Sequence, residues 1–566
     1  MNRKRWNLLP RIPDQLLPRV SELSPLMAQL AFNRGLADPS QLEPFLAADE
    51  RLAADPFLLP DMHQAVARVY RALLSGESIA VYGDFDADGI TATALLIQGL
   101  SLLEGRTIPY IPSRLGEGHG LRTNVLRQLH EEGVSLVITV DCGVTGLDEV
   151  QKAHRLGLDI VITDHHTPLD EVPPAVAVVD PKLPGSKYPF SELAGVGVAY
   201  KLLEALLCSI GQERYLNGLL DLVALGTVAD MTPLLSENRY LVKRGLDLMN
   251  TNPRLGLRAM IDQSGLTIGK VASENISWVI APRLNTASRM DHALPSYELL
   301  MTDSPERAQQ LAAWLEKKNV ERQELTSGAT ARAREQVLER GISPLLMVGD
   351  ESYPAGIAGL VAGRLSEEFY RPTIVVGIGQ RTSTGSCRSI SEFDIIEALT
   401  RCSDLFTRFG GHARAAGFVL PTRNLPVLQE RLLEMAVTEL AGVDLRPRLD
   451  IDAEVTLSDL AGDTYQSIQQ LAPFGQGNPL PAFLSRGVEV VDCRTMGNNG
   501  DHLRFKLKQG GITWDAVGFG MGADQPEITA LLDIVYNVEI DHWSGQLMLR
   551  LNLLDFAVAE RATSVP

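Results

Sequence analysis

The spacing of apolar positions changes several times along this chain. Up to about Ala48 apolar residues recur at helical intervals, as in SPLMAQLAFNRGL, the pattern of an amphipathic helix. From about Ser78 short unbroken apolar runs take over: IAVY at 79–82, LVITV at 136–140, DIVIT at 159–163 and AVAVV at 175–179. Helical patterns fall between them, ITATALLIQGLSLL after the first run and another from about Leu147. Short apolar runs alternating with helices predict βαβ units and a parallel sheet buried on both faces.

From about Ala194 to Arg340 the pattern is mostly helical. PERAQQLAAWLEKKNVERQELTSGATARAREQVLER reads as one long polar-faced helix joining two lobes. Its apolar positions keep no sustained heptad, so it reads as a spacer and not as a coiled coil. A second α/β segment begins at PLLMVGD (344–350) and includes PTIVVGI (372–378). Beyond LRPRLDIDAEV the chain is β-rich in GVEVVDCRTM, HLRFKLKQGGITWDAVGFG and IVYNVEIDHWSGQLMLRLNLLDF, and about 447–556 is expected to form a small β-barrel. The units expected are a helical segment at 1–48, a parallel-sheet domain at 49–300, a connecting helix at 301–340, a smaller α/β domain at 341–446 and a barrel at 447–566. There is no internal repeat and no low-complexity tract.

Composition narrows the class. A length of 566 residues fits several domains. No apolar run is long enough to span a bilayer. The start, MNRKRWNLLPRIPDQLLPRV, is basic, but Pro and Arg break its apolar part, so it makes a poor signal peptide. The five cysteines (Cys142, Cys208, Cys387, Cys402, Cys493) form no CxxC pair, which argues against a zinc site or a disulfide framework and for a reducing cytoplasm. A net charge of −18 argues against broad non-specific duplex binding, while leaving room for a local basic groove.

The chemistry lies at the strand ends. The first predicted strand runs into Gly83-Asp84-Phe85-Asp86-Ala87-Asp88-Gly89, the second into Asp141-Cys142-Gly143, and the third into Asp164-His165-His166. A single DxD can be a loop cap, and DHH alone can be an exposed turn. Three acidic ends in succession are different, because ligands of parallel α/β sheets bind outside the carboxyl ends of the strands. Carboxylates gathered there repel one another unless cations neutralise them. Carboxylate with imidazole suits Mn²⁺ or Mg²⁺, and so many acids suggest two ions. A two-ion site hydrolyses phosphoesters or phosphoanhydrides. Cys142, behind a strand end, reads as a small buried filler and not as a nucleophile.

YGDFDADGITATA, VDCG, TDHH and ALGTVADMTPL resemble, in order, the motifs of the DHH phosphoesterase superfamily. IPSRLGEGHGL, PRLNTASRMD, GSCRSI, GGHARAAG and PFGQGNPLP extend the resemblance to its RecJ type, the single-strand-specific 5′→3′ DNA exonucleases. The resemblance covers nearly the whole chain. It implies that Asp86, Asp88, Asp141, His165 and Asp230 ligate two Mn²⁺ ions, or Mg²⁺, with Asp141 as a bridge and Asp84 as a ligand or a support. It implies that His166 contacts the scissile phosphate or assists the attacking water, and that Asp164 orients an imidazole. GGHARAAG marks a DHHA1 domain that brings His412, Arg388 and Ser389 toward substrate, with Arg114 and Arg289 gripping phosphates. The barrel would be an OB-fold for single-stranded DNA. Partners implied are single-stranded DNA, a helicase and a single-strand-binding protein, with roles in recombination and repair. The chain departs from the family at His119, where Tyr is expected, at Ser288, where Gly is expected, and at Tyr353-Pro354.

Two other readings stand beside this one. A DHH enzyme for cyclic dinucleotides or oligoribonucleotides would be shorter and lack the β-rich tail. A scaffold that has lost catalysis would show eroded ligand positions, which this chain does not.

Overall fold

A computed structural model describes residues 4–17, 22–114, 116–497, 499–541 and 548–559. Leu115 of the IPSRLGEGHGL motif and residues 542–547 of the last β-rich stretch lie outside these residues.

The chain begins with a strand, β1 (Arg5–Leu8), ahead of the helices Pro25–Asn33 and Pro39–Ala47. The helix pattern of 24–36 hid this strand, whose pairing partner lies far along the chain. The expected parallel sheet follows: β2 (Ser78–Tyr82), β3 (Arg106–Tyr110), β4 (Val134–Val140), β5 (Asp159–Thr163) and β6 (Ala177–Val179), in the order β3-β2-β4-β5-β6. Every neighbour pair is parallel. The inner strands are buried along their length, as continuous Val/Ile runs require. Edge strand β3, RTIPY, is half-exposed and carries Pro109, which is tolerated because an edge has one unpaired side. That composition also made it unreadable as a strand.

Helices follow: Gly195–Cys208 packs on β4 and β5, Leu220–Ala229 packs on that helix, and Ser236–Thr251, Leu255–Gln263, Ala281–Met290 and Leu294–Met301 build the domain outward from the sheet. The expected connector is a single helix of 36 residues, Pro305–Arg340. The Ser304 side chain accepts from Arg307 N at its start, and Gly341, with φ 84°, lies just past its end. Among the described residues no helix is long and apolar enough to cross a membrane.

The second lobe has a five-stranded mixed sheet: β7 (Leu346–Asp350), β8 (Thr373–Gly377), β9 (Thr382–Arg388), β10 (Arg408–His412) and β11 (Ala415–Pro421), ordered β10-β11-β9-β8-β7. Then β12 (Arg448–Ile451) pairs in parallel with β1. After β13 (Ala453–Glu454) come the barrel strands β14 (Phe483–Met496), β15 (His502–Gln509), β16 (Ile512–Gly518), β17 (Leu531–Asp541) and β18 (Met548–Val558). The order β14-β15-β16-β18-β17, with β17 pairing back to β14, closes an OB-type barrel. Strand β15 alternates as the pleat dictates: Leu503, Phe505 and Leu507 point into the core, and Arg504, Lys506 and Lys508 face solvent. The barrel core also takes in Met27, Leu30 and Phe45 from the N-terminal helices.

Candidate metal centre

The site forms where β2, β4 and β5 end. After β2 the chain turns into the helix Ala87–Leu102, and Asp86 caps it, accepting from Asp88 N (3.0 Å) and Gly89 N (3.2 Å). Gly89 is required because a Cβ there would lie 2.6 Å from the Asp84 backbone. Both oxygens of buried Asp88 accept from the first amides of the helix Gly195–Cys208, Gly195 N at 2.7 Å and Val196 N at 2.8 Å, the positive end of that helix. Asn285, from PRLNTASR, holds the same turn by accepting from Ala87 N at 2.8 Å.

Asp141 follows β4 with φ 60°, a left-handed conformation unusual outside glycine. Gly195 leaves the room this needs, since a Cβ there would fall 2.5 Å from Asp141 Cβ. Asp230 ends the helix Leu220–Ala229, and Gly226 one turn earlier clears space for Asp88 Oδ1, 2.7 Å from where its Cβ would be.

These elements bring the expected acids together with His165. Ligand atoms within 4.8 Å of one another form three sets: Asp84, Asp86 and Asp141; Asp88, His165 and Asp230; Asp141, His165 and His166. His165 is buried, with Nε2 3.0 Å from Asp141 Oδ1, 3.7 Å from Asp230 Oδ2 and 4.0 Å from Asp88 Oδ2. Among the described residues neither of its ring nitrogens has a hydrogen-bond partner, and neither does Asp84 Oδ1. Burial and the neighbouring His166 charge lower the His165 pKa to about 3. A neutral imidazole facing carboxylates is a donor set that needs a cation.

The carboxylates report the same demand. Burial, then the charge of Asp86, raises Asp88 to about 7. Burial and the surrounding aspartates hold Asp141 and Asp230 well above the usual carboxylate range. Burial alone would also raise Asp164, but His166 outweighs it and lowers Asp164 to about 2. His166 Nδ1 lies 2.7 Å from Asp164 Oδ1, and that partner, working against burial, raises His166 to about 9. Asp164 therefore orients His166, the imidazole next to His165, and also accepts from Val144 N and His165 N. The donor chemistry and the unpartnered atoms fit divalent cations.

Basic residues gather beside Asp84 and Asp86. The Arg114 guanidinium lies 4.1 Å over the Phe85 ring, with Nε donating to Ser288 Oγ at 3.3 Å. Buried Ser288 thus anchors Arg114 where a glycine was expected. Arg289, lowered to about 9 by burial and by Arg114, Arg322 and Arg388, donates to Gly356 O. Arg388 and Arg322 continue the row to Arg364 and line a groove of about 670 Å³ with the exposed Trp278. Among the described residues, none of Arg114, Arg289, Arg322, Arg364 and Arg388 has a carboxylate within salt-bridge distance, whereas Arg68, Arg254, Arg283 and Arg334 each do. His412, on β10 of the second lobe, stacks parallel to His166 at 6.5 Å between centroids. Ser389 holds its own turn, with Oγ donating to Phe393 O and its amide to Arg414 O. His119 Nδ1 contacts Asp84 Oδ2 at 3.0 Å, and its ring packs on Phe85. Tyr353 is buried, and Pro354 precedes the helix Ala355–Phe369.

Sequence reading missed Asp180, directly after β6. It is buried, its Oδ2 has no hydrogen-bond partner among the described residues, and burial raises it to about 7. The signal was present, since VVDP repeats the pattern of a strand followed by an acid. Arg322 and Arg364 were also missed, because single arginines on helices carry no pattern.

Acids and a histidine at adjacent parallel strand ends, beneath a second lobe that carries His412 to them, define a DHH phosphoesterase. Residues 78–227 match the DHH family N-terminal domain, 341–438 the DHHA1 domain and 451–555 the RecJ OB domain. The single-stranded-DNA-specific exonuclease RecJ of Bacillus subtilis is 37% identical over 568 residues, covering 99% of this chain and 71% of that protein. The crystal structure of Thermus thermophilus RecJ in complex with Mn²⁺ superposes with a TM-score of 0.85 at 30% identity, covering 99% of this chain and 80% of that one. The Mg²⁺ complex of the same protein gives 0.79 at 29% identity, covering 99% and 79%. The chain belongs to the RecJ family.

Proposed function

We propose that this chain removes nucleotides from the 5′ end of single-stranded DNA by hydrolysing phosphodiester bonds at two divalent cations. One observation carries the reading: an unpartnered His165 imidazole sits amid clustered aspartates, of which Asp84 and Asp86 lie next to a row of arginines that lack carboxylate partners among the described residues. Cation ligands beside unsatisfied anion receptors suit a phosphodiester substrate. The match to B. subtilis RecJ, whose name specifies single-stranded DNA, supports the substrate class.

Asp84, Asp86, Asp88, Asp141, His165 and Asp230 would hold the ions, Mn²⁺ or Mg²⁺, with Asp141 and His165 belonging to more than one set. Bound there, the ions supply an activated water and charge stabilisation at the scissile phosphate. His166, kept cationic by Asp164, hydrogen-bonds a phosphate oxygen as charge builds on it. Arg114, Arg289 and Arg388 hold the phosphate of the terminal nucleotide, and His412 closes the site from the second lobe. The exposed Arg504, Lys506 and Lys508 of β15 give the barrel a cationic strand for the rest of the chain of nucleotides. A helicase that opens duplex and a protein that coats single strands are the partners such an enzyme calls for. Five unpaired cysteines suit a reducing cytoplasm.

The test is product-resolved digestion of 3′-labelled, 5′-phosphorylated single-stranded DNA with Mn²⁺, beside a blunt duplex of the same sequence. The expected result is stepwise shortening from the 5′ end with the duplex intact. Hydrolysis of a dinucleotide with no shortening of the strand would instead assign a small-substrate DHH enzyme.

A further inference from the structure

Catalysis leaves the glycine-rich segment PFGQGNP without a role, and it sits beside the loop that follows Asp230. We propose that this turn, which belongs to the C-terminal unit, positions Asp230 and makes the barrel part of the metal centre's support. The proposal rests on the reading of Asp230 as a cation ligand.

Asp230 caps the end of the helix Leu220–Ala229, and Met231 leaves it with φ 60° and an exposed side chain. The loop that follows is held across the domain boundary: Leu234 N donates to Gln476 O at 2.7 Å. Gly475 and Gly477 make that approach possible. A Cβ on Gly477, whose φ is 73°, would lie 3.0 Å from Pro233 Cβ, and one on Gly475 would lie 2.7 Å from Leu234 Cδ1. On the far side of the loop Asn238 Nδ2 donates to Pro233 O at 3.1 Å.

The turn is itself rigid. Asn478 Nδ2 donates to Leu471 O and Pro473 O, its Oδ1 accepts from Arg34 Nε at 2.7 Å, and Gly475 N donates to Asn478 O at 2.9 Å. Its base is bolted to the first domain by Arg239, a fully buried guanidinium on the helix Ser236–Thr251. Arg239 donates to Phe45 O (2.7 Å), Leu471 O (2.8 Å) and Ala472 O (2.7 Å), and stacks on the Phe45 ring. Ser273 Oγ adds a bond to Phe474 O at 2.6 Å. The Asp230 loop is thus fixed between a helix of its own domain and a turn of the barrel unit. Supports of this kind set how well a ligand holds its ion, because coordination tolerates displacements of only about 0.2 Å.

The experiment compares full-length Gly477→Ala, Gly475→Val, Asp230→Asn and Gly218→Ala proteins. Gly218 is exposed, with nothing within 4 Å of its Cβ position, and serves as the control. Mn²⁺ binding is followed by the EPR signal of free Mn²⁺ without DNA, and turnover of a short 5′-phosphorylated oligonucleotide is followed against Mn²⁺ concentration. Gly477→Ala is expected to weaken Mn²⁺ binding about 10-fold, as loss of a ligand's support does, with turnover recovering at high Mn²⁺ and Gly218→Ala unchanged. Gly475→Val repeats the test should Gly477→Ala fail to fold. Weakened binding in Asp230→Asn with none in either folded glycine variant overturns the clamp alone. Unchanged binding in Asp230→Asn overturns the ligand assignment, and the clamp falls with it.

Discussion

His166 of the first lobe and His412 of the second face each other in nearly parallel planes, 6.5 Å between ring centroids and 10° apart. Burial and the neighbouring His166 charge lower the His412 pKa, so His412 stands as a neutral ring against a cationic one. This contact carries the second lobe to the chemistry. His412→Ala is expected to lower kcat by about 10²-fold, the scale of one positioned polar group at a reacting phosphate, with Mn²⁺ binding unchanged. A kcat within about twofold of the parent would remove His412 from the site.

The His166–Asp164 pair gives a pH signature. With its folded pKa raised to about 9, His166 contributes stability that is fully present below its ordinary 6.5 and is lost as pH rises through 9. Asp164, lowered to about 2, contributes stability that is present above its ordinary 3.8 and is lost as pH falls through 2. The pair is therefore complete between about 3.8 and 6.5. Histidine NMR titration of the metal-free protein should place His166 near 9, and Asp164→Asn should bring it down. A midpoint near 6.5 in the parent protein would falsify the assigned pair.

If it ligates a cation, Asp141 trades stability for chemistry. Its φ of 60° suits glycine, and its side chain fills the space left by Gly195. Asp141→Gly should abolish turnover while leaving the melting temperature unchanged or raising it, since the left-handed conformation costs a non-glycine residue roughly 1 kcal/mol. Thermal unfolding beside the digestion assay checks both halves. A large loss of Tm would mean that the carboxylate supports the fold.

How far the sequence could be read follows the range of each interaction. The strand ends with Asp86, Asp141 and His165 were legible because a parallel sheet gathers its carboxyl ends whatever the rest of the chain does. The 36-residue helix was legible because its pattern is local. The pairing of Arg5 with Arg448 was not, because two short strands hundreds of residues apart leave no periodic trace. For the same reason nothing marked Met27, Leu30 and Phe45 as barrel core. His119 was noticed only as a departure, and its contact with Asp84 needed coordinates.

The arginines without carboxylate partners predict a salt dependence. If Arg322 and Arg364 meet backbone phosphates, each of Arg322→Gln and Arg364→Gln should flatten the slope of log K against log salt for single-stranded DNA by about 0.7. Binding measured by fluorescence anisotropy, in Ca²⁺ to prevent turnover, gives the slopes. Parallel lines for parent and variants would place the strand elsewhere.

The last prediction concerns the barrel. Judged by sequence pattern alone, a cut after Arg446 removes a separate binding platform and spares short substrates. The packing says otherwise. The cut would unpair β1, strip Met27, Leu30 and Phe45 of their core and take away Leu471 O and Ala472 O from Arg239. Arg239 would keep Phe45 O but lose its acceptors in the C-terminal unit, and the apolar core that Met27, Leu30 and Phe45 share with the barrel would open to water. The truncated chain should therefore lose activity on short and long strands alike, with a clearly lower Tm. Arg239→Met in the full chain separates the causes. It keeps the barrel but strands the same carbonyls, and should lower stability by about 2–4 kcal/mol in urea unfolding. If the truncated chain melts like the parent and still degrades short oligonucleotides, the barrel is a dispensable platform and Arg239 a local feature.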